Sequence, residues 1–283
     1  MKENLEHLLE TARKAARSGA AKINEIYERY KLGDDIGIRE KAEDDPVTAA
    51  DMSANTVITE IIRNEFQDHA ILTEEEPESW ETEGYEWVWM IDPLDGTKDF
   101  IKANGEFVTM IGLTHFGEPT VGVVIEPSTG LELYACKDMG AYKNWIYKRG
   151  MPCEIKISET TDMDRLRLAV SRSHRDQRVD TFMEIMSIQH EIPSGSVGRK
   201  VAMVINGVAD IYVHPSRGTK LWDTCACDVI LSEAGGVLLS GTGEKIQYRR
   251  PSQDIENQHG LLASPRTIMD PVIQASRQIW GLD

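Results

Sequence analysis

The run Trp87-Val88-Trp89-Met90-Ile91 is apolar throughout and passes directly into Asp92-Pro93-Leu94-Asp95-Gly96-Thr97. It predicts a buried strand that stops at two carboxylates, against a Gly-Thr turn that opens a helix. Asp92 and Asp95 can face one point, Pro93 fixes the bend, and the Leu94 carbonyl lies between them. Oxygen donors grouped in this way suit a hard cation such as Mg²⁺. The amides of Gly96 and Thr97 would then sit at a helix N-terminus, where a phosphate is favourably held. Metal ligands beside an anion cradle point to metal-assisted phosphate chemistry. Asp-Pro and Asp-Gly are also ordinary turn dipeptides, so the remaining sequence has to decide.

Composition narrows the classes. The 283 residues suffice for one large or two closely packed domains. No run approaches the length of a membrane-spanning helix, and the polar, acidic start Met-Lys-Glu-Asn-Leu-Glu-His does not read as a signal peptide. Cys136, Cys153, Cys225 and Cys227 lack zinc-type spacing. They read as reduced thiols, and the expected location is cytoplasmic. A net charge of −16 argues against a nucleic-acid polymer as partner. The expected partner is a small phosphorylated molecule, with no membrane and with the chain as a monomer or homodimer. An acidic chain that binds an anion must supply local positive charge, and bound metal ions would do so.

Residues 4–29 repeat Leu, Ala and Ile at helical spacing, and Gly33 ends that helix. A short strand is expected over 35–40 and a charged loop over 41–45. Asp51 falls in the first turn of a second helix, whose apolar face carries Ala54, Val57, Ile58, Ile61, Ile62 and Phe66. Strand 70–73 runs into Glu74-Glu75. After the opening stretch, 107–116 and 120–126 form a hairpin, and 131–135 with 140–142 extend an antiparallel sheet. The division expected is 1–150 and 151–283. In the second part, strands are expected at 166–170, 209–213, 237–239 and 260–263. Helices are expected at 181–188, from 195 to 207, from Leu221 through Leu231, and at 269–280.

Asp51, Glu74-Glu75, Asp92, Asp95 and Asp223 all stand at the ends of apolar elements. Each alone is an ordinary cap or turn; together they form the set that a multi-metal phosphatase needs. The chain resembles the lithium-sensitive, Mg²⁺-dependent inositol monophosphatase superfamily, which includes 3′(2′),5′-bisphosphate nucleotidases. Asp92-Pro93-Leu94-Asp95-Gly96-Thr97 is similar to its strongest motif, and Leu221-Trp222-Asp223 with Ala234-Gly235-Gly236 to its second. Asp51 in Pro-Val-Thr-x-x-Asp and the Glu74-Glu75 pair fall in the family's order. Thr73 stands where many members have glycine.

The resemblance implies an α/β, layered αβαβα sandwich of the sugar-phosphatase type, with the active site between the two halves. It implies that Glu74, Asp92 and the Leu94 carbonyl hold one Mg²⁺, that Asp92, Asp95 and Asp223 hold a second, and that a third is bound near Glu74. Li⁺ is the expected inhibitor. Thr97, held by Asp51, would orient or deprotonate the attacking water, with no phosphoenzyme. For substrate contacts it implies Gly96, Thr97, Ser171, Arg172, His174 and Lys200. Lys98, the segment Ser171-Arg172-Ser173-His174 and Lys200 lean to the nucleotidase branch. So does Ser216, beside Arg217, where inositol-preferring members carry a glutamate. Ser196-Val197-Gly198 is written more like the inositol branch. The expected reaction is hydrolysis of adenosine 3′,5′-bisphosphate to AMP, with an inositol or sugar monophosphatase as the alternative.

Overall fold

Two helices open the chain. Helix α1 (Leu5–Lys31) starts where the Asn4 side chain accepts the Glu6 amide, and Leu8, Leu9, Ala12, Ala15, Ala16, Ala20 and Ile23 line its buried face. Helix α2 (Ala49–Glu65) begins at a capping box in which Asp51 accepts the Thr48 amide at 2.7 Å. The structure, a computed structural model, describes residues 4–42, 45–157, 162–173, 175–249 and 254–282. Between the helices, β1 (Arg39–Ala42) and β2 (Asp45–Val47) form a separate antiparallel ribbon. This corrects the strand expected at 35–40; of the loop expected at 41–45, residues 41, 42 and 45 are strand, and 43 and 44 lie outside the described residues. The Ile36 and Ile38 alternation that suggested the strand comes from an irregular segment, in which Ile36 packs into the core and Ile38 is exposed.

Seven strands make the first sheet in chain order: β3 (Ala70–Thr73), β4 (Trp87–Asp95), β5 (Val108–His115), β6 (Glu118–Glu126), β7 (Leu131–Cys136), β8 (Ala141–Trp145) and β9 (Cys153–Ile155). All neighbours run antiparallel except β3 and β4, which are parallel. The antiparallel sheet expected from sequence is therefore mixed at one edge, and β9 carries it past residue 150. Nor does β4 stop at Ile91. It continues to Asp95 with its register against β5 shifted between Asp92 and Asp95. Pro93 lacks a ladder donor, so the strand crosses it as a bulge. After Gly96, α3 is a single turn, Thr97–Ile101.

The second sheet is mixed. Its strands β10 (Arg167–Ser171), β11 (His190–Ser194), β12 (Ile211–His214), β13 (Gly236–Ser240) and β14 (Leu261–Pro265) lie in the order β11-β10-β12-β14-β13. Helices α4 (Gln177–Ile185), α5 (Val197–Ile205), α6 (Cys225–Glu233) and α7 (Met269–Ile279) complete the fold. Sequence reading missed β11, an edge strand with polar, exposed residues and no apolar alternation. It also placed the start of α4 too late, since Asp176 caps that helix through the Arg178 amide, and the start of α6 four residues too early. Among the described residues no helix is long and apolar enough to cross a membrane.

Side-chain alternation stacks these parts into five layers, αβαβα. On β4, Trp89 and Ile91 face α1 and α2, whereas Met90 faces the opposite layer with α5 and α6. The second sheet turns Ala169, Tyr212, Leu261 and Ala263 to that same middle layer. Its other face packs Leu168, Val170, Ile211 and Val213 against α4 and α7. Parity therefore sends Asp92, two residues after Met90, to the middle of the molecule.

Helix α6 can sit directly on β5 and β6 because glycines face it. A Cβ at Gly122 would lie 2.3 Å from the Ala226 carbonyl oxygen, and one at Gly112 would lie 2.6 Å from Cys225 Sγ. Gly122→Ala should therefore push α6 off the sheet and cost about 1–3 kcal/mol, the usual price of overpacking. For a chain of this size that is a fall in Tm of roughly 3–10 °C. Activity should fall with it, because Asp223 lies two residues before α6. A thermal melt unchanged to within about 1 °C would refute this seating of the helix.

Candidate active site

The acidic side chains singled out in the sequence arrive from four places. Asp51 comes from the first turn of α2, Glu74 from just beyond β3, Asp92 and Asp95 from the bulged end of β4, and Asp223 from the turn before α6. Glu74, Asp92, Leu94, Asp95, Gly96, Thr97, Ser171, Lys200 and Asp223 line one cavity of about 950 Å³ between the two sheets. Asp51 stands behind it, 1% exposed, and accepts the Thr97 hydroxyl at 2.8 Å.

Asp92, 2% exposed, lies within hydrogen-bonding reach of both Glu74 and Asp223. Burial first, and then the charges of Glu74, Asp95 and Asp223, push its carboxyl well above the usual carboxylate range. Asp223 is driven up by burial and by Asp95, and Glu74 by burial, against the pull of Lys41. Glu75 beside them rises to about 7 through burial and the Glu74 charge. From the β1–β2 ribbon, Lys41 Nζ reaches Glu74 at 3.0 Å and Glu75 at 2.7 Å, and these partners hold its amine above the ordinary lysine range despite burial.

Hard oxygen donors, buried and mutually repelling, form the donor set that a divalent cation stabilises. Among the described residues, however, no three histidine, cysteine or acidic side chains are drawn around a single point. Each carboxylate is turned towards a donor of the protein. Asp92 accepts the Leu94 amide at 3.0 Å, and Asp223 accepts the Lys220 amide at 2.7 Å. Asp95 accepts Ser196 Oγ and the Gly198 amide, both at 2.6 Å, which ties the start of α5 to the β4 bulge.

The Gly-Thr turn stands between β4 and α3 at the cavity wall. Gly96 has φ 104°, and a Cβ there would lie 3.0 Å from the Glu106 carbonyl oxygen. Only glycine suits this position. The helix that follows has five residues, so its dipole is small.

The proposed substrate contacts are divided. Ser171 ends β10 at the cavity wall, and Lys200 is buried there, its amine donating to the Ser196 carbonyl and lowered to about 8 by burial. Arg172 lies outside the lining and forms a two-pronged bond to Glu106 at 2.8 and 2.7 Å. Arg199 is held by Glu126 at 2.6 Å. His174 falls outside the described residues. Ser216 lines the cavity, as does Arg217, and donates to Asp176 at 2.8 Å.

Two cavity residues escaped the sequence reading. Tyr212 Oη and His214 Nε2 are buried, and neither has a partner among the described residues. Burial lowers the imidazole to about 4, so it is neutral. The signal was alternation: Ile211 and Val213 pack to one side of β12, and Tyr212 and His214 occupy the other parity.

Comparison with known proteins follows the same lines. The model of the Inositol monophosphatase family matches residues 4–280. The 3′(2′),5′-bisphosphate nucleotidase CysQ of Salmonella typhimurium is 33% identical over 243 residues, covering 85% of this chain and 94% of that protein. A fructose-1,6-bisphosphatase/inositol-1-monophosphatase of Aquifex aeolicus is 34% identical over 244 residues, covering 83% and 86%. The crystal structure of CysQ from Bacteroides thetaiotaomicron superposes with a TM-score of 0.76 at 27% identity, covering 92% of this chain and 97% of that one.

Proposed function

The chain belongs to the inositol monophosphatase family and is a phosphatase, and on that premise we propose that it removes the 3′-phosphate of adenosine 3′,5′-bisphosphate, giving AMP and phosphate. The observation that carries the chemistry is the Asp51–Thr97 hydrogen bond at the edge of the buried carboxylate cluster. The Thr97 hydroxyl gives its proton to Asp51, so its lone pairs are free to accept one from a water in the cavity. Burial raises the Asp51 carboxyl, which strengthens it as the final proton acceptor. In this reading Thr97 orients the attacking water and Asp51 orients Thr97.

Glu74, Asp92 and the Leu94 carbonyl would hold one Mg²⁺, and Asp92, Asp95 and Asp223 a second, with a third near Glu74. When bound, these ions neutralise charge on the phosphoryl oxygens and on the leaving group. Lys41 stands on Glu74 and Glu75 in the same cluster, so we expect it to yield to a bound cation. Li⁺ inhibition belongs to this proposal.

The nucleotidase relative supports the choice of substrate. The Aquifex relative favours fructose 1,6-bisphosphate or inositol 1-phosphate instead. Steady-state assays at several Mg²⁺ concentrations decide between them. We expect kcat/KM for adenosine 3′,5′-bisphosphate to exceed that for inositol 1-phosphate or fructose 1,6-bisphosphate at least tenfold, about 1.4 kcal/mol of discrimination. The reverse order would overturn the assignment.

A further inference from the structure

The bisphosphate reading leaves a question that the site geometry can answer, namely which residue receives the phosphate that does not react. The cavity, at about 950 Å³, lies at the upper end of the roughly 300–1,000 Å³ typical of ligand sites. It has room for more than one phosphate and a small polyol. Several cations face it, and most are committed. Lys41 is held by Glu74 and Glu75, Arg175 by Asp180 and Glu191, and Lys220 by Glu256. Lys200 is buried on a main-chain carbonyl. Arg172, a natural candidate by sequence, and Arg199 lie outside the lining and are held by Glu106 and Glu126.

Arg217 differs from these. It lines the cavity and is exposed, and it makes no ion pair or side-chain hydrogen bond among the described residues. Its backbone is nevertheless fixed on both sides. Ser216 is tied to Asp176, which is itself gripped by Arg178. Asn257 donates its amide to the Thr219 carbonyl at 2.8 Å and its side-chain nitrogen to the Lys220 carbonyl at 3.0 Å. A Cβ at Gly260 would lie 1.9 Å from the His214 carbonyl oxygen, so the residue leading into β14 runs hard against the base of the loop. Asp176, the nearest acid along this loop's contacts, is held well below the usual carboxylate range by its bond to Arg178. Its charge is answered locally. An unpaired guanidinium on an anchored loop, facing an acidic cavity, suits a phosphate that it can grip with two parallel bonds.

We propose that Arg217 is the specificity-determining residue for the second, non-reacting phosphate of the substrate, an inference that rests on the bisphosphate reading above. Loss of a charge-assisted contact of this kind corresponds to roughly 10- to 100-fold in affinity. The experiment compares wild type, Arg217→Gln and Arg217→Lys on adenosine 3′,5′-bisphosphate and on adenosine 3′-monophosphate at one Mg²⁺ concentration. Arg217→Gln should raise KM for the bisphosphate by about 10- to 100-fold, with kcat and the monophosphate KM within about twofold. Arg217→Lys should fall between, because a lysine keeps the charge but not the fork. A wild type that prefers the bisphosphate and keeps that preference in Arg217→Gln overturns the role of Arg217 alone. A change in KM equal for both substrates does the same. A wild type that treats the two substrates alike overturns the bisphosphate reading itself.

Discussion

Replacing Asp92 with Asn should cut turnover by about a thousandfold or more while making the metal-free protein more resistant to heat. Asp92 is the carboxyl that both Glu74 and Asp223 approach, and it is the most buried of the three. Removing its charge takes away a donor common to both proposed metal positions. A thousandfold is about 4 kcal/mol of barrier, within the several kcal/mol that a bound metal supplies to a phosphoryl transition state. The stability effect has the opposite sign. A carboxyl raised on folding keeps its proton more tightly in the native state, so ionising it opposes folding. That penalty is absent below the ordinary aspartate range and grows as pH rises through the elevated native value. The metal-free wild type should therefore lose stability as pH rises, and Asp92→Asn should lose less. Mg²⁺ reverses the loss in wild type. At a hundred times its Kd it contributes about 2.7 kcal/mol, an upward shift in Tm of roughly 5–10 °C for a chain of this size. Melts of both proteins, with chelator and with Mg²⁺, check each point. An Asp92→Asn protein that turns over normally, or that Mg²⁺ still stabilises by the wild-type amount, would exclude this cluster as the metal site.

Much of this centre was legible in sequence because its residues sit where apolar periodicity stops. A strand or helix that ends on a carboxylate announces it, and Asp51, Glu74, Asp92 and Asp95 all stand at such ends. The layered fold was legible for the same reason. Its helices and inner strands bury one face or two, and burial writes period into sequence. What stayed hidden was whatever carries no period. Strand β11 is an edge with exposed, polar residues, so nothing in its composition distinguishes it from a loop. The ribbon strands β1 and β2 are short and charged. The bulge that carries β4 through Pro93 depends on its partner β5, which a local reading does not include. Charge pairing was the least legible property. Arg172 looked like a free cation beside the site, yet it is answered by Glu106, far away in the chain, as Arg199 is by Glu126. Arg217 was noticed as a neighbour of Ser216, and its freedom emerged only when the partners of the other cations were known.

Thr97→Val should lower kcat by roughly 10²- to 10⁴-fold, the usual contribution of a positioned proton acceptor, with little effect on Mg²⁺-induced stabilisation. Valine matches threonine in shape and removes only the hydroxyl, which is the group bonded to Asp51 at 2.8 Å and lying 3.3 Å from the Leu94 carbonyl. Asp51 would keep its bonds to the Thr48 amide and hydroxyl, at 2.7 and 2.6 Å, so the cap of α2 should survive. That separates chemistry from folding, which Asp51→Asn would not do as cleanly because one carboxyl serves both. Thr97→Ser keeps the hydroxyl and should retain most of the activity. KM for the substrate should move little in either variant, since the lost contact is to the attacking water. A Thr97→Val protein with kcat within about threefold of wild type would remove Thr97 from the proton path. If instead Thr97→Ser failed as badly as valine, the methyl group would be what matters, and the residue would be holding the Gly96 turn in shape.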